Sequence, residues 1–368
     1  MRALELLEDG IERGLHLGGQ LAVALRGERV LDRAFGEARP GEAMRTDHLV
    51  LWLSASKPMT AIAVAQLWEK GLLDVEDPVA RHIPEFGVHG KEAVTIRHLL
   101  THTGGIRTVK TAWPEASWTE TIAEICALKL EPRWTPGLKA GYHLASSWFV
   151  LAEIVRRLDG RPIERYLREE LFEPLGMEDC WLGMPAERYA AYGPRVAPNW
   201  NTEESPPERH DWDSEPRVTR PNPGSNGRGP MRELLRVYEM LLGRGTLEGR
   251  RFLTPQTVDA VTAHQRVGLY DHTFRHVLDW GYGFVVDSSH YRDAGTPYGY
   301  GRHASPRTFG HSGYRSTAAF ADPEHGLAVA LAVNGTPAAE VHRERFERVL
   351  TALYEDLGLD VRASGRPG

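Results

Sequence analysis

Two side chains that together could make and break acyl bonds stand three residues apart in the run LWLSASKPMT, residues 51–60: Ser54 and Lys57. A serine hydroxyl is a poor nucleophile until a base removes its proton. A lysine serves as that base only when neutral, and burial or nearby positive charge lowers its pKa. On a helix, residues i and i+3 share a face, so the Lys57 amine can reach the Ser54 hydroxyl. A helix N-terminus adds positive potential and leaves backbone N–H groups unpaired, which suits a developing oxyanion. Pro58 fits the first helical turn, where no intrahelical N–H bond is lost. The S-x-x-K spacing is common, and an N-cap serine followed by a solvated lysine fits it as well. What favours the catalytic reading is the segment that follows. Residues 58–70, PMTAIAVAQLWEK, are apolar on nearly all sides, as in a buried helix, and a lysine entering such a core needs a reason.

Other chemistries lack their residues. The chain has no H-E-x-x-H and no G-x-S-x-G, and the Gly-rich run GSNGRG at 224–229 lacks the G-K-[ST] of a phosphate loop. That run reads as a turn before the helix MRELLRVYEMLL. His98/His102 and His272/His276 have i,i+4 spacing, but no acidic third ligand accompanies them, so no metal and no cofactor is expected. A net charge of −6 gives no basic footprint for nucleic acid. No stretch reaches the roughly 20 apolar residues of a membrane span. The N-terminus carries early acidic residues and no apolar h-region, which predicts a cytoplasmic protein. Two cysteines, Cys126 and Cys180, make no disulfide framework, although the two can still pair.

The elements that must hold the serine–lysine pair follow from periodicity. A length of 368 residues suggests two packed lobes. Ala3, Leu6, Leu7 and Ile11 predict an amphipathic first helix. Residues 20–36 alternate around Arg26-Gly27-Glu28, as a hairpin does. Residues 72–265 mix helical patterns with Pro- and Gly-rich loops. Residues 317–322 and 327–334 form a second hairpin around Pro323–Gly326. A last helix carries Phe346, Val349, Leu350, Leu353 and Leu357 on one face. Strands at both chain ends imply an antiparallel sheet closed by both termini, flanked by helices, with a mainly helical lobe inserted between. The predicted class is therefore α+β. One lobe comprises 1–58 and 275–368, the other 59–274, and the substrate cleft lies between them. Loops around 107–135 and 196–230 are expected to shape the pocket. Trp113, Trp118, Trp134 and Trp148 serve either the core or an apolar pocket, and the Tyr298–Gly301 loop could border the site.

The run at 51–60 resembles the active-site serine segment of class C β-lactamases, D,D-peptidases and related esterases. The likeness continues in order. Residues 71–84 (GLLDVEDPVARHIP), 95–106 (TIRHLLTHTGGI), 170–177 (ELFEPLGM) and 309–335 (FGHSGYRSTAAFADPEHGLAVALAVNG) resemble the segments that follow in that family. The resemblance implies a β-lactamase/transpeptidase-like fold and a strand motif at His311, Ser312 and Gly313 in place of K-T-G. It implies an oxyanion hole formed by the N–H groups of Ser54 and Tyr314. Pro136-Gly137 puts Tyr142 on the family tyrosine, as general base or proton relay with Lys57. Leu144 departs from the pattern, standing where the family asparagine binds the substrate's side-chain amide. With His143 as the fallback polar group, that loss disfavours β-lactams and stem peptides, whose amide would be left unpaired.

The expected function is therefore serine hydrolysis of a small ester or amide through an acyl-enzyme at Ser54. The oligomeric state is left open. Rivals within the family are a β-lactamase, a D-amino-acid peptidase and an acyltransferase. A rival of another class is a penicillin-binding sensor that does not turn over.

Overall fold

The computed structural model describes residues 1–109, 111–291 and 299–360. Its centre is an eight-stranded antiparallel sheet. The strands are β1 (Gly18–Leu25), β2 (Glu28–Arg39), β3 (Glu42–Ala43), β4 (Asp279–Trp280), β5 (Val285–Val286), β6 (Phe309–Gly313), β7 (Thr317–Asp322) and β8 (Leu327–Val333), in the spatial order β4-β5-β6-β7-β8-β1-β2-β3. The two chain ends meet where β1 pairs with β8, from Gly19 opposite Val333 to Leu25 opposite Leu327. Both hairpins read from the sequence are present, β1–β2 and β7–β8.

Strand alternation gives the sheet two unlike faces. Leu21, Val23, Phe320, Val329 and Leu331 point to one face, where they pack with Ala3 and Leu7 of helix α1 (Arg2–Glu12) and with the C-terminal helix. Ala22, Ala24, Ala319, Ala321, Ala328 and Ala330 point to the other. Small side chains there let a helix approach closely, and the helix at Met231–Leu242 packs on β1, β7 and β8 through that face. Its bounds match the run MRELLRVYEMLL.

Helix α2 (Lys57–Glu69) is buried from Lys57 through Leu67, as its apolar sequence demands. It ends on Gly71, whose φ of 68° allows the Leu72 N–H to reach back to the Leu67 carbonyl at 3.1 Å. Helix α3 (Ser146–Asp159) packs on α2. The sheet-packed helix Met231–Leu242 is labelled α4, and the C-terminal helix is α5 (Ala339–Asp356), with Phe346, Val349, Leu350 and Leu353 buried. Cys126 and Cys180 are both buried and unpaired with each other. The Tyr300 side chain is buried. Its hydroxyl donates to the Val285 carbonyl at 2.9 Å and its ring packs on Phe320, in the core beneath α5. Tyr298, expected with it, is outside the described residues.

Candidate active site

The serine turn is built before α2 starts. The strand Val50–Leu51 pairs with Gly227–Gly229, and a 3-10 turn over Leu53–Ser56 then leads into α2 at Lys57. The pair is thus split between two elements. It stays aligned because i and i+3 eclipse in a 3-10 turn. Leu53 sits in the left-handed region with φ 51°, a conformation that costs a side-chain-bearing residue about 1–3 kcal/mol. Four bonds hold it there. The Trp52 N–H donates to Gly227 O at 2.8 Å and its indole N–H to Gly229 O at 3.1 Å. The Ser56 hydroxyl donates to Leu53 O at 2.6 Å and accepts from the Gly227 N–H at 2.9 Å. The Gly-rich run is therefore more than a turn before α4. A Cβ on Gly227 would lie 2.6 Å from the Trp52 ring.

Lys57 Nζ lies 3.0 Å from Ser54 Oγ and donates to the Gly224 carbonyl at 2.7 Å. Its aromatic neighbours are Tyr142 and Trp148, with ring centroids 4.9 and 5.7 Å away. The side chain is 0% exposed, and burial holds its pKa well below the ordinary lysine value. A carbonyl only accepts, so one N–H of a neutral amine is committed to Gly224. The lone pair is then free to turn to Ser54. Gly224 is itself fixed by an asparagine network. Asn222 Oδ1 accepts from its N–H at 3.1 Å, and Asn226 Oδ1 accepts from the Asn222 N–H at 2.8 Å.

Tyr142 lies against the same amine. Its backbone N–H donates to Asp271 Oδ1 at 3.0 Å, which also accepts from Thr273 and Phe274. Asp271 Oδ2 pairs with buried Arg266 at 3.1 Å, and Arg266 also donates to the Thr101 and Leu278 carbonyls. The Tyr142 ring packs at 4.6 Å from His102, 5.8 Å from Trp280 and 6.1 Å from His311. His311 Nδ1 is 2.8 Å from Ser312 O, so that nitrogen carries the proton and Nε2 presents its lone pair. Burial, then the neighbouring Lys57 charge, lowers the His311 pKa to about 3. His102 accepts from the His143 N–H at 2.9 Å, and its pKa is also driven far down, first by burial.

The strand motif runs beside the serine turn. His311, Ser312 and Gly313 lie on β6, all buried, and an added Cβ on Gly313 would stand 2.4 Å from Trp52 O. Only glycine permits that approach. Tyr314 follows, 51% exposed, and Leu144 is 65% exposed. Leu144 O lies 3.0 Å from where a Gly224 Cβ would be. His143 does not serve as a polar substitute at the open face. It is fully buried, and its Nε2 accepts from the Ile106 N–H at 3.2 Å.

Ser54, Lys57, Tyr142 and His311 thus form one connected group, with Gly313–Tyr314 along its edge and Leu144 at its rim. Sequence reasoning missed Gly224, Asp271, Arg266 and Trp280, and weighed His102 only as a metal ligand. No local spacing announces them, because each reaches the site by tertiary contact. Of the four tryptophans named around Tyr142, Trp148 is the one that lines the lysine pocket. Among the described residues, no group of three or more His, Cys, Asp or Glu could hold a metal ion. His98 uses its Nδ1 to cap its own helix, and His272 and His276 fall on a short hairpin rather than a helix.

Residues 5–354 match the Beta-lactamase family. The chain belongs to the β-lactamase family. Among relatives, the esterase/β-lactamase LipL of Mycobacterium tuberculosis is 27% identical over 345 residues, covering 86% of this chain and 77% of LipL. Among solved structures, a penicillin-binding protein homologue from Caulobacter crescentus superimposes with a TM-score of 0.79 at 30% identity, covering 96% of each chain. A family VIII carboxylesterase gives 0.79 at 26% identity, covering 95% of this chain and 96% of its own. This β-lactamase-family protein is accordingly an enzyme, a serine hydrolase with the α+β fold of those neighbours. No helix among its described residues is long and apolar enough to cross a membrane.

Proposed function

We propose that the protein hydrolyses a small ester or simple amide in two steps, in the cleft between the two-ended sheet lobe (1–58, 275–368) and the helical lobe (59–274). Neutral Lys57, with Tyr142 as relay, takes the Ser54 proton as Oγ attacks the carbonyl carbon. The carbonyl π pair moves to oxygen, and the N–H groups of Ser54 and Tyr314 hold the oxyanion. As the intermediate collapses, the bond to the leaving alcohol or amine breaks, and that group receives the proton through Tyr142. Water then attacks the acyl-enzyme by the reverse route, releasing the acid and returning the proton to Ser54. His311 flanks Tyr142 as a neutral acceptor, and the edge at Ser312–Gly313 gives the substrate backbone polar groups to meet.

One observation carries this reading: the buried Lys57 amine, its pKa depressed, 3.0 Å from Ser54 Oγ. Exposed Leu144 supports ester over β-lactam, because leucine can neither donate to nor accept from a substrate amide. The relative named esterase/β-lactamase keeps a β-lactam arm in the test. Purified protein should be labelled at Ser54 by a fluorophosphonate and should cleave p-nitrophenyl acetate faster than nitrocefin. Unchanged turnover in Ser54→Ala overturns the mechanism, and faster nitrocefin turnover overturns the ester preference. An acyl-enzyme that forms and never clears, seen by intact mass, indicates the sensing role instead.

A further inference from the structure

A stacked aromatic pair stands beside the candidate oxyanion strand and takes no part in the steps above. The rings of His210 and Trp212 lie 3.8 Å apart and are parallel within 1°. Trp212 in turn meets Tyr314 edge-on, at 6.3 Å and 76°. The pair is anchored at both ends. His210 Nε2 is 2.9 Å from Thr336 Oγ1, which already donates to Trp200 O, so the histidine is the donor. The Trp212 carbonyl accepts from Arg228 on the strand that braces the serine turn. Trp212 remains only half-buried and Tyr314 is 51% exposed. A half-open indole, stiffened on one face and fixed to the scaffold that carries Ser54, is suited to receive another apolar group.

Position decides which part of a substrate it meets. Tyr142 packs near His311, and on the mechanism above it delivers the leaving group's proton. Tyr314 lies three residues further on, in the turn just past the end of β6, where it meets Trp212. A carbonyl held at Ser54 therefore turns its leaving group towards Tyr142 and its acyl group towards Tyr314 and Trp212.

We propose that the His210–Trp212 stack, with Tyr314, is the wall of an acyl-side subsite that selects esters of flat, aryl-bearing acids. The proposal rests on the Ser54 mechanism. The test compares kcat/KM for p-nitrophenyl phenylacetate and p-nitrophenyl acetate, which differ only in the acyl group. It also compares p-nitrophenyl and 1-naphthyl acetate, which differ only in the leaving group. The protein should favour phenylacetate over acetate. Trp212→Ala should lower that acyl ratio about tenfold, mainly through KM, as expected for loss of one aromatic contact. Trp212→Phe should keep most of the ratio. The leaving-group ratio should move less than threefold in either variant. Fluorophosphonate labelling at Ser54 and the thermal midpoint confirm that each variant is folded and competent. An acyl ratio that stays within twofold in Trp212→Ala, or a leaving-group ratio that moves instead, overturns the subsite and leaves the mechanism standing. A longer alkanoyl ester preferred over phenylacetate overturns the aryl preference. Failure of the unaltered protein to label or turn over refutes the mechanism, and the subsite with it.

Discussion

Replacing Lys57 with methionine separates a catalytic lysine from a structural one, because the two roles predict opposite effects on stability. Lys57 is 0% exposed, and its pKa is pushed well down by burial. A lysine that folds neutral at pH 7 gives up its proton against an ordinary pKa near 10.4, which costs about 4–5 kcal/mol at roughly 1.4 kcal/mol per unit. Methionine has a similar length and no such cost. What it loses is the bond to Gly224 O, and a buried carbonyl left unmet costs about 1–3 kcal/mol. The balance leaves Lys57→Met more stable than the parent, by about 1–4 kcal/mol.

Activity should go the other way. General-base assistance contributes about 10²–10⁴-fold, so kcat/KM for p-nitrophenyl acetate and the rate of fluorophosphonate labelling should each fall about 10³-fold. Lys57→Arg makes the control. Arginine stays charged, so it should lose activity similarly and lose stability as well, by burying a charge that cannot be shed. Steady-state kinetics and a urea melt on the three proteins give both quantities. Turnover in Lys57→Met within tenfold of the parent, or a folded variant destabilised by more than about 3 kcal/mol, refutes the reasoning.

Three further outcomes follow from other parts of the site. Leu144→Asn restores a group able to bond a substrate amide, and nitrocefin turnover should rise relative to p-nitrophenyl acetate, by about tenfold for one good hydrogen bond; an unmoved ratio places Leu144 outside the substrate's reach. Gly313→Ala puts a methyl 2.4 Å from Trp52 O, so the serine turn must shift. Its kcat should fall at least tenfold, with about 1–3 kcal/mol lost in a urea melt. His16, His143 and His311 all have pKa values lowered by burial to about 3, against about 6.5 when unfolded. Between those values the unfolded chain binds protons that the folded chain refuses, so the stability present above pH 6.5 is lost as pH falls towards 3, on the order of 1 kcal/mol per pH unit for each histidine. Urea melts from pH 7.5 to 4.5 should show that decline, and a flat profile contradicts it.

What the sequence made legible was local. The β1–β2 and β7–β8 hairpins follow from alternation around Gly27 and Gly326, and α2 from an apolar run too uniform for a surface. Ser54 and Lys57 could be paired because their contact spans three residues. The rest of the site is assembled over long separations. Gly224 reaches Lys57 from 167 residues away, and Asp271 reaches Tyr142 from 129. Those contacts are carried by two-residue strands and Asx-type turns, which leave no periodicity to read. His102 shows the difficulty. Spacing alone offered a pair with His98, whereas packing against Tyr142 and Trp280 gives it another place.

The chemistry of the pocket follows from which charges are kept out of it. A base such as Lys57 would be disabled by a facing carboxylate, which stabilises the ammonium. The carboxylate that holds the Tyr142 backbone, Asp271, spends one oxygen on Arg266 and the other on three backbone N–H groups. Its charge is consumed one shell away, and what reaches the lysine is a rigid tyrosine rather than an anion. The histidines around Tyr142 add no negative charge either. Burial keeps His102 and His311 neutral at ordinary pH, and protonating either one would put a cation beside an amine already starved of water. The aromatic walls of Tyr142 and Trp148 complete the exclusion of solvent. A lysine in these surroundings can hold its proton only weakly, which is the condition under which Ser54 can give one up.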